Sequence, residues 1–165
     1  RRNPLTGEVE SEQATVAAKY HGFIGGSEYD LLLAEHYDDL VLGLGGTYSL
    51  GGAVLRGDLV ITDTESDTYA QLVANWSYSW TWRGRNMSGA LEYHFNDFGQ
   101  DDGRYDSGSL AGNPDLLARL ARGETFAIGR HYLAGSVLVE MTPLWTLTPT
   151  LLANIGAPSS FGSKT

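Results

Sequence analysis

The chain has 165 residues, 42% of them hydrophobic and 19% charged, which is the length of one ordinary domain and too apolar for a disordered one. A formal net charge of −9 disfavours a general nucleic-acid binder, which needs a basic face against phosphate. There is no cysteine, so disulfide frameworks, thiolate metal sites and cysteine nucleophiles drop out, and no apolar run reaches the roughly 18–20 residues of a membrane helix.

Residues 1–13 read as a leading segment or loop. They begin Arg1-Arg2-Asn3-Pro4, with neither an initiator methionine nor an apolar signal stretch, so a piece of a longer protein is expected. From residue 14 the dominant pattern has period two, the signature of strands whose side chains alternate between faces. Residues 15–24 set Val16, Ala18, Tyr20 and Ile24 against Thr15, Lys19 and His21. Residues 28–37 set Tyr29, Leu31, Leu33 and Tyr37 against Glu28, Asp30 and His36. Residues 40–48 set Leu40, Leu42, Leu44 and Tyr48 against Val41, Gly43, Gly45 and Thr47. Residues 53–64 set Leu55, Leu59 and Ile61 against Arg56, Asp58 and Thr62. The clearest case is 68–82, where Ala70, Leu72, Ala74, Trp76, Tyr78, Trp80 and Trp82 share one face and Gln71, Asn75, Ser77, Ser79 and Thr81 the other. Residues 87–96 repeat the scheme with Met87, Leu91, Tyr93 and Phe95 against Ser88, Glu92, His94 and Asn96.

Gly25-Gly26-Ser27, Asp38-Asp39, Ser49-Leu50-Gly51-Gly52, Glu65-Ser66-Asp67 and Arg83-Gly84-Arg85-Asn86 carry turn chemistry between these runs. The long break at 99–125 contains one predicted helix, with Asn113 as its cap, Pro114 in its first turn and Gly123 as its stop. Two strands follow. Residues 126–142 set Leu133, Val137, Val139 and Met141 against Arg130, Tyr132, Ser136 and Glu140. Residues 145–155 set Trp145, Leu147, Leu151 and Ile155 against Thr146, Thr148, Thr150 and Asn154. Residues 156–165 read as a trailing loop. The expectation is an all-β, up-and-down antiparallel meander of about eight strands spanning 14–155, with one short helix in a long loop.

Amphipathic meander strands can close a soluble barrel with its apolar face inward or a membrane barrel with that face outward. The aromatic row Trp76, Tyr78, Trp80 and Trp82 is too bulky for a small barrel's interior. The opposite faces are rich in Ser, Thr, Gly, Asn and Gln, with only 11 Lys and Arg in the chain. Tyr48, Trp80, Trp82 and Trp145 gather toward one set of strand ends and Tyr37, Tyr69 and Phe98 toward the other, as in the aromatic girdles of bilayer interfaces. The odd-numbered connections are short, and the longer ones fall on the even side. These features favour a transmembrane β-barrel.

In the runs Ala70-Gln71-Leu72-Val73-Ala74-Asn75-Trp76-Ser77-Tyr78-Ser79-Trp80, Gly89-Ala90-Leu91-Glu92-Tyr93-His94-Phe95 and Leu40-Val41-Leu42-Gly43-Leu44-Gly45-Gly46, the chain resembles Gram-negative outer-membrane β-barrels, porin-like proteins in particular. The resemblance covers residues 14–155 and is one of pattern, without a residue signature. It implies a bacterial outer-membrane location, contact with outer-membrane lipid and lipopolysaccharide, and passive passage of small polar solutes. Such proteins end on a strand with a terminal aromatic residue, whereas this chain ends at Thr165, so part of a larger barrel is expected.

On that reading Lys19, His21, Asp30, Arg56, Asp58, Glu92, His94, Arg130 and Glu140 face the lumen, either biasing which solutes pass or only pairing with one another. Tyr48, Trp76, Tyr78, Trp80, Trp82, Tyr93 and Trp145 are the membrane-interface aromatics. No HExxH spacing, nucleophile elbow or nucleotide-binding glycine fingerprint occurs, so no metal, cofactor, catalytic residue or nucleic-acid partner is expected. Two alternatives stand beside the channel: a structural or adhesion barrel with partner-binding loops, and a soluble barrel holding an apolar ligand. The oligomeric state is left open.

Overall fold

A computed structural model describes residues 15–156; the expected leading segment 1–13 and all but the first residue of the trailing loop lie outside the described residues. The chain is built from β1 (Thr15–Ile24), β2 (Ser27–His36), β3 (Asp39–Leu50), β4 (Ala53–Asp63), β5 (Thr68–Trp82), β6 (Arg85–Asn96), β7 (His131–Thr142), β8 (Trp145–Leu147) and β9 (Thr150–Asn154). Two helices, α1 (Ser107–Ala111) and α2 (Pro114–Arg122), interrupt the strands after β6. The sheet order is the chain order from β1 to β8, with β9 also on β7. This is the expected antiparallel meander. Among the described residues no pairing joins β1 to β8 or β9, so closure into a barrel is not part of what is seen.

Tight hairpins set the meander. Gly25-Gly26 and Gly51-Gly52 hold positive φ at both central positions, as two-residue turns matched to strand twist require. Tyr37-Asp38 does the same with two non-glycine residues (φ 54° and 64°), and Arg83-Gly84 with one (φ 50° and 74°). The turn at 64–67 is instead held by the Thr64 amide donating to the Asp67 carbonyl at 3.0 Å and by the Thr64 hydroxyl accepting from the Asp67 amide at 3.1 Å.

The chain divides into two compact units, up to Trp76 and from Ser77. In the first, β1 to β4 pair in unbroken register, with Tyr20 opposite Leu31, Leu31 opposite Leu44 and Leu44 opposite Leu59. Directly opposed residues share a face, so the expected apolar sets of four strands merge into one surface. That surface is the exposed one: Val16 is 71% exposed, Leu33 54% and Leu42 41%. The opposite face, with small and polar residues, is exposed along β1 but less exposed where β2, β3 and β4 pair. Ala34 and Thr62 are buried there, and Leu32 lies 3.0 Å from where a β-carbon on Gly43 would sit.

In the second unit, β6 and β7 pair from Met87 opposite Val139 to Phe95 opposite His131. The expected strand 126–142 begins only at His131. Residues 128–130 bond to the loop instead: the Gln100 amide donates to the Ile128 carbonyl at 2.8 Å and the Arg130 amide to the Gln100 carbonyl at 3.0 Å. The expected strand 145–155 appears as β8 and β9. Both pair with β7, and the break is at Pro149, whose carbonyl accepts from the Val137 amide but which has no N–H to return the bond.

The connection 97–130 is closed by two glycines. A β-carbon on Gly99 would collide with the Gly129 carbonyl, and one on Gly129 with the Asn154 amide and the hydroxyls of Tyr105 and Tyr132. Gly57 has only the Val73 carbonyl nearby, at 3.9 Å. Gly99→Ala is expected to cost about 1–3 kcal/mol by forcing backbone apart. Gly57→Ala is expected to be neutral or to stabilise by about 0.5–1 kcal/mol. Equilibrium urea unfolding followed by tryptophan fluorescence separates the two.

Candidate functional site

The candidate site is the small-residue face, and in the first unit it carries a row of charge. Register places His21 opposite Asp30, Asp30 opposite Gly45 and Gly45 opposite Asp58. Lys19 Nζ lies 2.9 Å from Asp30 Oδ1, His21 Nδ1 lies 3.1 Å from the same oxygen, and Arg56 Nε donates to Asp58 Oδ2 at 3.3 Å. Five expected lumen residues therefore fall on one strip. Gly45 makes room for it: a β-carbon there would be 2.7 Å from Asp58 Oδ1 and 3.3 Å from the Asp30 β-carbon. Each pair is partly exposed and screened by solvent, so the strip shapes local charge more than it holds the fold.

The four expected residues of the second unit do not converge. His94 sits beside Tyr132, with ring centroids 6.1 Å apart, and Glu92 is exposed two register pairs away. Glu140, farther along β7, accepts from Asn86 Nδ2 at 2.9 Å. Arg130 is a correction. It lies outside β7, at the root of the long connection, where its guanidinium donates to the carbonyls of Asp97 and Gly99 (both 3.3 Å) and pairs with Asp101 at 3.2 Å. The backbone bonds that pull 128–130 into the loop also take Arg130 out of the strand alternation. Among the described residues no three His, Asp or Glu side chains converge to hold a metal ion.

On the other face, Trp76, Tyr78 and Trp82 are exposed. Trp80 is half-buried: it stacks on Tyr78 at 6.0 Å and covers Gly89, whose β-carbon would be 3.2 Å from the indole. Arg83 lies 4.8 Å over the Trp82 ring, and Tyr48 and Trp145 are exposed. Tyr93 is half-buried and shares a 2.8 Å hydrogen bond with His131 Nδ1. Phe98, expected at a strand-end girdle, is instead 1% exposed.

Phe98 is buried because the 97–130 connection has a core of its own. Leu116 and Asn96 are fully enclosed, and the Arg119 guanidinium lies 3.9 Å over the Phe98 ring while bonding Glu124 at 2.7 Å. The expected cap is present: Asn113 Oδ1 accepts from the Leu116 amide at 3.1 Å, its Nδ2 donates to the Phe98 carbonyl at 2.8 Å, and Gly123 ends α2 with φ 75°. Helix α1 was not expected from the sequence, where Asp106-Ser107-Gly108-Ser109 reads as flexible loop. Its signal is Asp106 three residues before Ser109, an N-cap spacing. Asp106 Oδ1 accepts from the Gly108 and Ser109 amides at 3.0 Å each, and Oδ2 from the Ser109 hydroxyl at 2.9 Å. Sequence reasoning also missed a cavity that Ser79, Thr81, Asn86, Ser88 and Glu140 line together with Trp80, Met87 and Leu138. Period two puts Ser79, Thr81 and Ser88 on the polar faces, but only register reveals that they meet.

No family model, no curated protein and no solved structure matches this chain. The likeness to outer-membrane barrels therefore rests on pattern alone.

The Asp106 carboxyl is held below the ordinary value of 3.8, first by the Ser109 amide, then by the Ser109 hydroxyl and the Gly108 amide. A lowered folded value means the cap's contribution is complete above the ordinary value and is lost as pH falls through the lower one. Amide exchange at Gly108 and Ser109 is expected to accelerate relative to the rest of the loop in that acid range. Asp106→Asn, which keeps a capping oxygen, should abolish the pH dependence; hydrogen-exchange NMR reads both.

Proposed function

We propose that this chain forms part or all of the wall of a bacterial outer-membrane β-barrel that lets small polar solutes pass. The observation that carries the reading is the exposure pattern of the first unit, where leucine, valine and tyrosine side chains of four paired strands are exposed while Ala34 and Thr62 on the opposite face are buried. A buried Leu or Val gains about 1.5–3 kcal/mol over an exposed one, so a continuous surface of them needs a cover. Acyl chains supply it without a specific partner.

Strand length supports the same reading. The strands β1 to β7 have 10 to 15 residues, where a tilted membrane strand needs roughly 9–11 and soluble strands average about 5–6. The exposed Trp76, Trp82 and Trp145 suit the lipid side and its interfaces, and the Lys19–Asp30 and Arg56–Asp58 strip suits an aqueous lumen. A soluble barrel with an apolar interior would bury the face that is open here. The alternative of a structural or adhesion barrel draws on the 97–130 connection, a loop with its own core and with Phe126 90% exposed.

Brominated-lipid quenching tests the lipid contact. In vesicles, the fluorescence of a protein retaining only Trp76 and Trp82 is expected to fall strongly with bromine near mid-chain; unquenched emission there ends the membrane reading. Planar-bilayer recording tests passage: stepwise conductance is expected, and inserted but silent protein would leave the adhesion reading in its place.

A further inference from the structure

We infer that the second unit holds a binding subsite for small primary-ammonium solutes on its polar face, centred on Glu140; it is offered as the solute class of the proposed lumen and rests on that reading. The site is an open cavity of about 320 Å³ near the β5–β6 turn. Ser79 and Thr81 come from β5, Asn86 and Ser88 from β6, and Glu140 from β7, where it is opposite Thr146; Trp80, Met87 and Leu138 complete the lining and leave the Glu140 carboxylate as its one charge.

Two observations select the ligand. The first is charge. Asp30 carries Lys19 and His21, and Asp58 carries Arg56, but Glu140 has no basic partner among the described residues, and no basic side chain lines the cavity. Among the described residues its hydrogen bond comes from the Asn86 side-chain amide, which neutralises nothing. An anion is therefore repelled and a cation attracted.

The second is the balance of donors and acceptors. Asn86 spends an N–H on Glu140 Oε2, leaving its own Oδ1 and Glu140 Oε1 to accept. Three hydroxyls, those of Ser79, Thr81 and Ser88, add lone pairs. The cavity is rich in acceptors and carries one negative charge. An ammonium group, with three donors, one positive charge and no acceptor, is its chemical complement. A neutral diol meets the hydroxyls but leaves the carboxylate's charge unanswered.

The test is a titration of the full chain in detergent micelles, with backbone amides read by NMR at constant ionic strength. Ethylammonium chloride is expected to shift the amides of Thr81, Asn86, Ser88 and Glu140 saturably, whereas ethylene glycol and sodium chloride are not. Glu140→Gln should weaken the ethylammonium response about three- to fivefold, the scale of one exposed charge pair, and Asp58→Asn should leave it unchanged. Equal responses to glycol or sodium, no saturable shift, or an unaltered Glu140→Gln titration would each overturn the subsite. The lumen reading fails separately, by absent lipid quenching with the ammonium response intact.

Discussion

Side-chain placement in this protein depends on register. In an antiparallel ladder each residue's face is set by its parity and by its partner, and a one-residue slip would send a strand's whole apolar set to the wrong side. From β1 to β4 the pairing runs without a shift, so Lys19, Asp30 and Arg56 stay on one surface while Tyr20, Leu31, Leu44 and Leu59 stay on the other. Two-residue turns with positive φ enforce this, because they leave no slack at the hairpin ends. The charged strip and the open aliphatic surface are two results of the same pairing.

Much of this was legible from alternation. The ends of β1 and β5 coincide with the period-two runs at 15–24 and 68–82, and the paired strands keep Arg56 and Asp58 on the side opposite Leu55 and Leu59. The α2 helix was legible from Asn113, Pro114 and Gly123, since caps act locally. Closure of the expected barrel was not borne out by any pairing among the described residues.

What alternation could not show depends on contacts distant in sequence. Arg130 fits a strand pattern by parity, and Phe98 follows a strand end where a girdle aromatic is expected. Both are claimed by the 97–130 connection, Arg130 through carbonyls at 97 and 99 and Phe98 through Arg119 and Leu116. The division of 145–155 into β8 and β9 follows from a missing donor at Pro149, which hydropathy does not register. The acceptor-rich cavity needs three strands side by side, and no window along the chain contains it.

The long connection begins and ends at one place. The Asn96 amide donates to the Arg130 carbonyl at 2.8 Å, so the segment leaves the sheet and returns across a single backbone bond. The entropy of closing that loop is charged to a contact the β6–β7 ladder would make anyway. Asn96 and Arg130 thus form a socket. A segment of another length or sequence could be exchanged between them without disturbing the pairing of Phe95 with His131, which makes 97–130 the position where this scaffold can diverge or accept a graft while its ladder stays the same.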